Sequence, residues 1–113
     1  MLDRPDQAER LLDAMTAALP IPVTCQAALL AQLRTRSGFD GVRSRATVTK
    51  VLYMGDEGGI VCGLDFGLGE GANVAVVSLT HLSIDPSHAL AREIASYQYH
   101  RIKQLRAQAR DQR

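Results

Sequence analysis

The sequence predicts an α+β domain of order ααβββα, with an N-terminal helical hairpin, a three-stranded antiparallel β-meander and a long C-terminal helix. Apolar residues recur at helical spacing near both ends of the chain. In the middle they alternate with polar residues, and glycine-rich turns divide that part. The 113 residues suit a single domain. We expect the hairpin over 1–38, the sheet over 42–82 and the last helix over 85–110.

The N-terminal hairpin is predicted from capping residues and breakers. The first helix spans 5–19, with Asp3 as its N-cap and a proline in its first turn. The prolines within 20–22 end it. Thr24 is predicted to cap a second helix that runs through Leu33 to Ser37, and Gly38 suits the left-handed position that follows a helix.

The meander is predicted from alternation of period two, with strands over Val42–Met54, Gly59–Phe66 and Asn73–Leu82. Pairing Met54 with Ile60 sets the register and places one set of side chains under the helices. That core face is expected to carry Lys50 as its one polar member together with Val48, Leu52, Met54, Ile60, Cys62, Leu64, Phe66, Val74, Val76 and Leu82.

The opposite sheet face is the leading candidate for a functional surface. It has an apolar centre within a polar rim, which is typical of an interaction surface. Its candidate residues are Arg43, Arg45, Thr49, Val51, Tyr53, Val61, Asp65, Val77, Leu79 and His81. We expect a homodimer joined through this face. The alternatives are a second core layer under the first helix and a small-molecule site.

The C-terminal helix is predicted to begin at the Asp85 cap and to continue to about residue 110. Beyond Leu105 the chain is basic and poor in apolar residues, so this tail is expected to fray. A nucleic-acid-binding module is the alternative function. It would combine Arg43 and Arg45 with the C-terminal cations Arg101, Lys103, Arg106 and Arg110.

The sequence gives little support for catalysis or a cofactor. The glycine-rich segments join strands rather than open a helix, so they indicate hairpin turns and not phosphate loops. A catalytic set of Tyr53, Asp65 and His81 is disfavoured because no spacing enforces its geometry. A metal site at His81, Asp85 and His88 is a weak candidate, and no cofactor is predicted.

The remaining expectations concern location and partners. Cys25 and Cys62 lie 37 positions apart without metal-ligand spacing and are expected to be reduced and buried. There is no secretory leader pattern and no apolar run long enough to cross a bilayer. We therefore expect a cytoplasmic, non-enzymatic interaction or regulatory module that binds a second copy of itself and a protein partner not identified by the sequence.

Overall fold

The structure, a computed structural model, describes residues 3–67 and 75–111. A 3-10 turn at Leu79–His81 links the last two strands. The elements are α1 (Pro5–Ala18), β1 (Ile21–Cys25), α2 (Ala27–Leu33), β2 (Arg45–Tyr53), the single turn α3 (Gly55–Gly58), β3 (Ile60–Asp65), β4 (Ala75–Ser78), β5 (Leu82–Ile84) and α4 (Ala91–Asp111).

The strands form one antiparallel sheet in the order β4-β3-β2-β1-β5. Consecutive strands β4 and β5 lie at its opposite edges and are joined only by the 3-10 turn. Such a short connection forces the sheet to curl, so that its concave inner face encloses the core. The α+β class and the antiparallel sheet are confirmed, whereas the predicted ααβββα order is wrong because the sheet has five strands.

Strand β1 begins within residues 20–22, where the sequence predicted only the end of the first helix. Its residues alternate between buried and exposed, and Val23 and Cys25 face the core. The Cys25 amide donates to Ser44 O on the β2 side, so the nitrogen of Pro22 faces the β5 side. Pairing with β5 begins only at Val23, and the missing N–H of Pro22 therefore costs no ladder hydrogen bond.

Three predicted helix caps are also wrong. Arg4 is the N-cap of α1, and Gln26 precedes α2. The Asp3 carboxylate instead reaches residues far along the chain. Asp85 Oδ1 accepts hydrogen bonds from Ser87 N and Ser87 Oγ, which makes a local turn, and α4 begins six residues later.

A β-bulge at Thr49 changes the predicted sheet faces. Val48 pairs with Leu64, but the next paired residue is Lys50, opposite Gly63. The extra residue turns the rest of β2 over. Lys50 and Leu52 therefore point outward, and Val51 points inward against the core.

The register of β4 also differs from the prediction by one residue, because Leu64 pairs with Ala75. Val77 and Leu79 are consequently buried at 6% and 2% exposure, whereas Val76 points outward. Predicted core residue Val74 lies outside the described residues. The predicted core members Leu52, Met54 and Val76 are thus corrected to surface residues.

The core lies between the inner sheet face and three helices, and α2 contributes the buried Leu29 and Leu33. From α1, Ala8, Leu11 and Met15 are buried against the sheet. From α4, Ile94 and Tyr97 are buried in the same cluster. Helix α1 therefore covers the inner face together with α4, and the outer face of the sheet is left without a helical layer among the described residues.

The register makes a direct prediction about two adjacent valines. Val77→Asp should lower the free energy of unfolding by about 3 kcal/mol or more, because it buries an unpaired carboxylate. Val76→Asp should change it by no more than about 0.5 kcal/mol, as expected of a surface position. Chemical denaturation at low protein concentration measures both, and equal losses would show that the β4 register is wrong.

Candidate functional site

The outer face of β2, β3 and β4 carries an apolar patch, defined by Leu52, Met54, Val61 and Val76 and called the outer patch below. Leu52 pairs with Val61 across the β2–β3 ladder. Leu52, Met54 and Val76 are 43%, 58% and 59% exposed, respectively. These are high values for large apolar side chains in one sheet, and grouped exposure of this kind marks an interaction surface.

Glycines and a few charged residues shape the outer patch. A Cβ at Gly58 would meet Met54 Cβ at 2.8 Å and Val61 Cγ1 at 3.6 Å, so these two side chains border one glycine. Gly63 lies between Lys50 and Val76 on paired strands, which leaves a shallow dent in the middle of the face. Exposed charges on this face come from Lys50, from Asp65 at the end of β3 and from Arg45 at the start of β2.

The structure does not bring the predicted interaction residues together on one face. Val77 and Leu79 belong to the core, and Val51 faces inward. Val61, Asp65 and Arg45 point outward, and Arg45 and Asp65 line one cleft, while Arg43, Thr49 and His81 are exposed at separate places. The predicted apolar centre is therefore corrected: of its four members, Val61 is the one that belongs to the outer patch.

Tyr53, itself partly exposed, binds to a buried polar cluster that links distant parts of the chain. The Asp3 carboxylate pairs with Arg101 Nη1, which lies 3.1 Å from each carboxylate oxygen. Tyr53 Oη and Tyr97 Oη each donate to Asp3 Oδ2 at 3.1 Å. These four residues, called the Asp3 network below, connect the start of α1 to β2 and α4.

The Asp3 network also fixes the tip of the β2–β3 hairpin. Tyr97 Oη accepts from Ile60 N at 2.9 Å, and Arg101 Nη2 donates to Asp56 O at 2.8 Å. Gly59 has φ +61°, and a Cβ there would lie 2.7 Å from Arg101 Cζ. Glycine is therefore required by both backbone conformation and space.

Burial raises the pKa of Tyr97, and the negative charge of Asp3 acts in the same direction. Burial likewise raises the pKa of Tyr53, again reinforced by Asp3. Both hydroxyls therefore remain protonated at neutral pH and donate to the carboxylate. Every buried side-chain polar atom among the described residues has a hydrogen-bond partner. The cluster is thus suited to holding the fold together rather than to chemistry.

Sequence reasoning missed this cluster for two reasons. Asp3 is 98 residues from Arg101 along the chain, and no local pattern connects them. Arg101 did give a signal, because it falls on the apolar stripe of α4 with Ile94 and Tyr97. A charged residue in such a stripe either reaches an edge or finds a buried partner, and here it finds Asp3.

The weak metal candidate does not assemble. Asp85 is engaged by Ser87, and His88 Nδ1 accepts from Leu90 N at 3.0 Å. His81 lies exposed in the 3-10 turn. Across residues 3–67 and 75–111, no three His, Cys, Asp or Glu side chains are grouped so that they could hold a metal ion.

A cleft of about 720 Å³ with a mixed polar and apolar lining lies on another part of the outer face. Its apolar lining includes Phe66 and Ile84, and its polar side chains are Thr24, Arg45, Thr47, Asp65, Ser83 and Asp85. Most of these side chains are exposed to solvent, so the cleft gathers polar groups without removing them from water. Such an arrangement does not supply the desolvated charge that strengthens electrostatic catalysis.

The predicted basic residues divide into three sets. Arg101 is buried in its ion pair with Asp3 and is unavailable to a ligand. Lys103, Arg106 and Arg110 are exposed on the last turns of α4. Arg43 and Arg45 are exposed beside the start of β2, at the other side of the sheet.

Both cysteines are free and buried. Burial raises the pKa of the Cys62 thiol to about 12 from its ordinary value of 9.0. It also raises the pKa of Cys25. Neither thiol is therefore ionised at neutral pH, and neither has the thiolate character that a nucleophile requires.

Comparison of the chain with protein-family models, with curated proteins and with solved structures found no match. The helices in the part of the chain that the structure describes lack the combination of length and apolar character needed to cross a bilayer.

The Asp3 network predicts an asymmetric effect of removing one or both charges. Asp3→Ala should lower the free energy of unfolding by about 3–5 kcal/mol, because the Arg101 guanidinium is left buried and unpaired. The double variant Asp3→Ala, Arg101→Met should recover most of this loss. Thermal or chemical denaturation tests the pair. A loss below about 1 kcal/mol in the single variant would show that the ion pair does not hold the termini together.

The raised pKa of the Cys62 thiol predicts how the free energy of unfolding changes at alkaline pH. Its folded pKa is raised, so the unfolded chain releases the thiol proton first as the pH rises. Its contribution to the free energy of unfolding is complete below about pH 9 and is lost progressively towards pH 12. Cys62→Ala should therefore show a shallower decline over this window than the parent protein. Parallel declines would contradict the assignment.

Proposed function

We propose that this protein is a small non-enzymatic interaction module that binds a second copy of itself through the outer patch. The observation that carries the proposal is the outward placement of Leu52, Met54 and Val76 on the two sides of β3, with Val61 of β3 between them. Covering these side chains removes apolar surface from water, which is the dominant favourable term in most protein association.

A second copy suits this surface because its charges are self-complementary. In a two-fold dimer, contacts are reciprocal: where one residue of the first copy contacts another residue of the second, the same two positions also meet with the copies exchanged. The outer face carries a cation, Lys50, and an acid, Asp65, close together at one end of the apolar residues, since Lys50 pairs with Gly63 and Asp65 lies two positions further along β3. Lys50 of one copy can thus pair with Asp65 of the second while the outer patches pack together.

The separation of the candidate catalytic groups supports a non-enzymatic role. Tyr53 donates to Asp3 on the inner side. Asp65 is exposed on the outer face, and His81 lies in the turn beyond β4. These three groups do not share a face of the protein, so they cannot act together on one bound substrate.

The interface expected from the outer patch is small and mainly apolar. Interfaces at the lower end of the size range are usually weak, so we expect a dissociation constant of about micromolar order. Apolar contacts are not screened by salt, whereas contacts between exposed charges are. The dimer should therefore persist at high ionic strength.

Sedimentation velocity over a range of concentrations tests the proposal at low and high salt. The parent protein should shift from monomer to dimer in both conditions, and Val76→Asp should remain monomeric while keeping its fold. Ser83→Asp is the matched control, since it adds the same charge to an exposed position on the strand at the opposite sheet edge.

Three outcomes would overturn the proposal. They are a parent protein that stays monomeric at all concentrations, a Val76→Asp variant that still dimerises, and a dimer that high salt dissolves. The last result would show that contacts between exposed charges hold the dimer instead.

A further inference from the structure

The solvent face of α4 carries a continuous stripe of cations around one exposed tyrosine. With 3.6 residues per turn, its members fall within an arc of about 60°, directly opposite the buried Ile94, Tyr97 and Arg101. The members are Arg92, Tyr99, Lys103, Arg106 and Arg110, called the α4 stripe below, and all are exposed.

Acidic side chains are displaced from the α4 stripe. Glu93 and Asp111, the acids of α4, lie about 100° around the helix from its centre. Glu93 borders a groove shared with Gln7 and Arg10 of α1, on the side away from the stripe. The chain has a net charge of only +1, so the positive charge of the stripe is a local concentration rather than a general property.

Tyr99 is placed as a stacking surface. Its side chain is 71% exposed, the highest value among the exposed large hydrophobic residues of the described chain. The exposed residues Ala95 and Ser96 precede it on the same side of the helix, so its ring has open space beside it. Near Arg92 and Ala95, a groove of about 500 Å³ runs between α4 and β5.

We propose that the α4 stripe binds single-stranded nucleic acid. Lys103, Arg106 and Arg110 would contact successive backbone phosphates, and an unpaired base would stack on Tyr99. A cationic track with an exposed aromatic ring is the arrangement by which proteins hold single strands without reading their sequence. The stripe extends for about 27 Å along the helix axis, which is comparable with about eight stacked nucleotides.

This proposal is independent of self-association. Helix α4 packs on the inner side of the sheet through Ile94 and Tyr97, and its stripe faces away from the core. The outer patch lies on the other side of the sheet. A variant of one surface is therefore expected to leave the other intact.

Fluorescence anisotropy of a labelled 20-nucleotide oligothymidylate, titrated with the full chain at several salt concentrations, tests the proposal. The triple variant Lys103→Ala, Arg106→Ala, Arg110→Ala should bind at least about tenfold more weakly. Its slope of log affinity against log salt should be smaller by about 2, since each lost contact to a single strand removes about 0.7. The control Arg4→Ala, Arg10→Ala, Arg36→Ala removes the same charge from exposed positions elsewhere and should bind like the parent.

Substitutions of Tyr99 distinguish base stacking from simple charge attraction. Tyr99→Phe should retain binding, whereas Tyr99→Ser should weaken it by about tenfold. A duplex of equal length should bind more weakly than the single strand. The proposal is overturned if the parent protein does not bind at low salt, if the two triple variants lose affinity equally, or if the duplex binds more tightly and Tyr99→Ser has no effect. Binding to anionic lipid vesicles but not to the oligonucleotide would also overturn it.

Discussion

One extra residue in β2 determines which side chains this protein presents to its surroundings. Without the bulge at Thr49, the pairing of Val48 with Leu64 would place Lys50 on the same face as the core. The bulge keeps the Lys50 ammonium in water and brings Val51 inward, and it turns Leu52 outward beside Val61. The cost of burying an unpaired charge therefore explains both the irregular ladder and the apolar outer patch that results from it. The surface most suited to association is a consequence of protecting the core.

The Asp3 network fixes the helices against the sheet whose faces are set by the bulge. A sheet whose edges are joined by a three-residue turn needs its helices fixed against the open inner face. The ion pair of Asp3 with Arg101 and the hydrogen bonds of Tyr53 and Tyr97 supply that connection between α1, β2 and α4. Buried ion pairs rarely add much net stability, but they penalise arrangements that leave one charge unpaired. Here that penalty selects the docking of α1 and α4, and the exposed side of α4 is fixed as a result.

The class of fold, the central β2–β3–β4 meander and the amphipathic C-terminal helix could be predicted because periodicity is a local property of the sequence. Strand β1 was missed because the two prolines around Ile21 usually break secondary structure. Pro22 is tolerated in the strand because β5 pairs with β1 only from Val23 onward, so no ladder hydrogen bond needs an N–H at position 22. Lys50 was recognised as a misfit on the predicted core face, yet the bulge that resolves this misfit cannot be located from alternation alone. Of the predicted surface residues, the exposed cations of α4 need only helix geometry, whereas the burial of Val77 depends on a one-residue shift in pairing.

The most direct test is a search for methyl contacts between copies by isotope-filtered NMR on a mixture of labelled and unlabelled protein. The account predicts contacts between copies from the methyl groups of Leu52, Val61 and Val76, together with contacts within one copy from Val51 and Val77 to the core. The contrary result is a dimer whose contacts between copies arise elsewhere, for example from Leu105 of α4, or Leu52 methyls that contact Cys62 and the core. The first finding would contradict the outer patch as the interface, and the second would show that the bulge does not set the faces of the sheet as described.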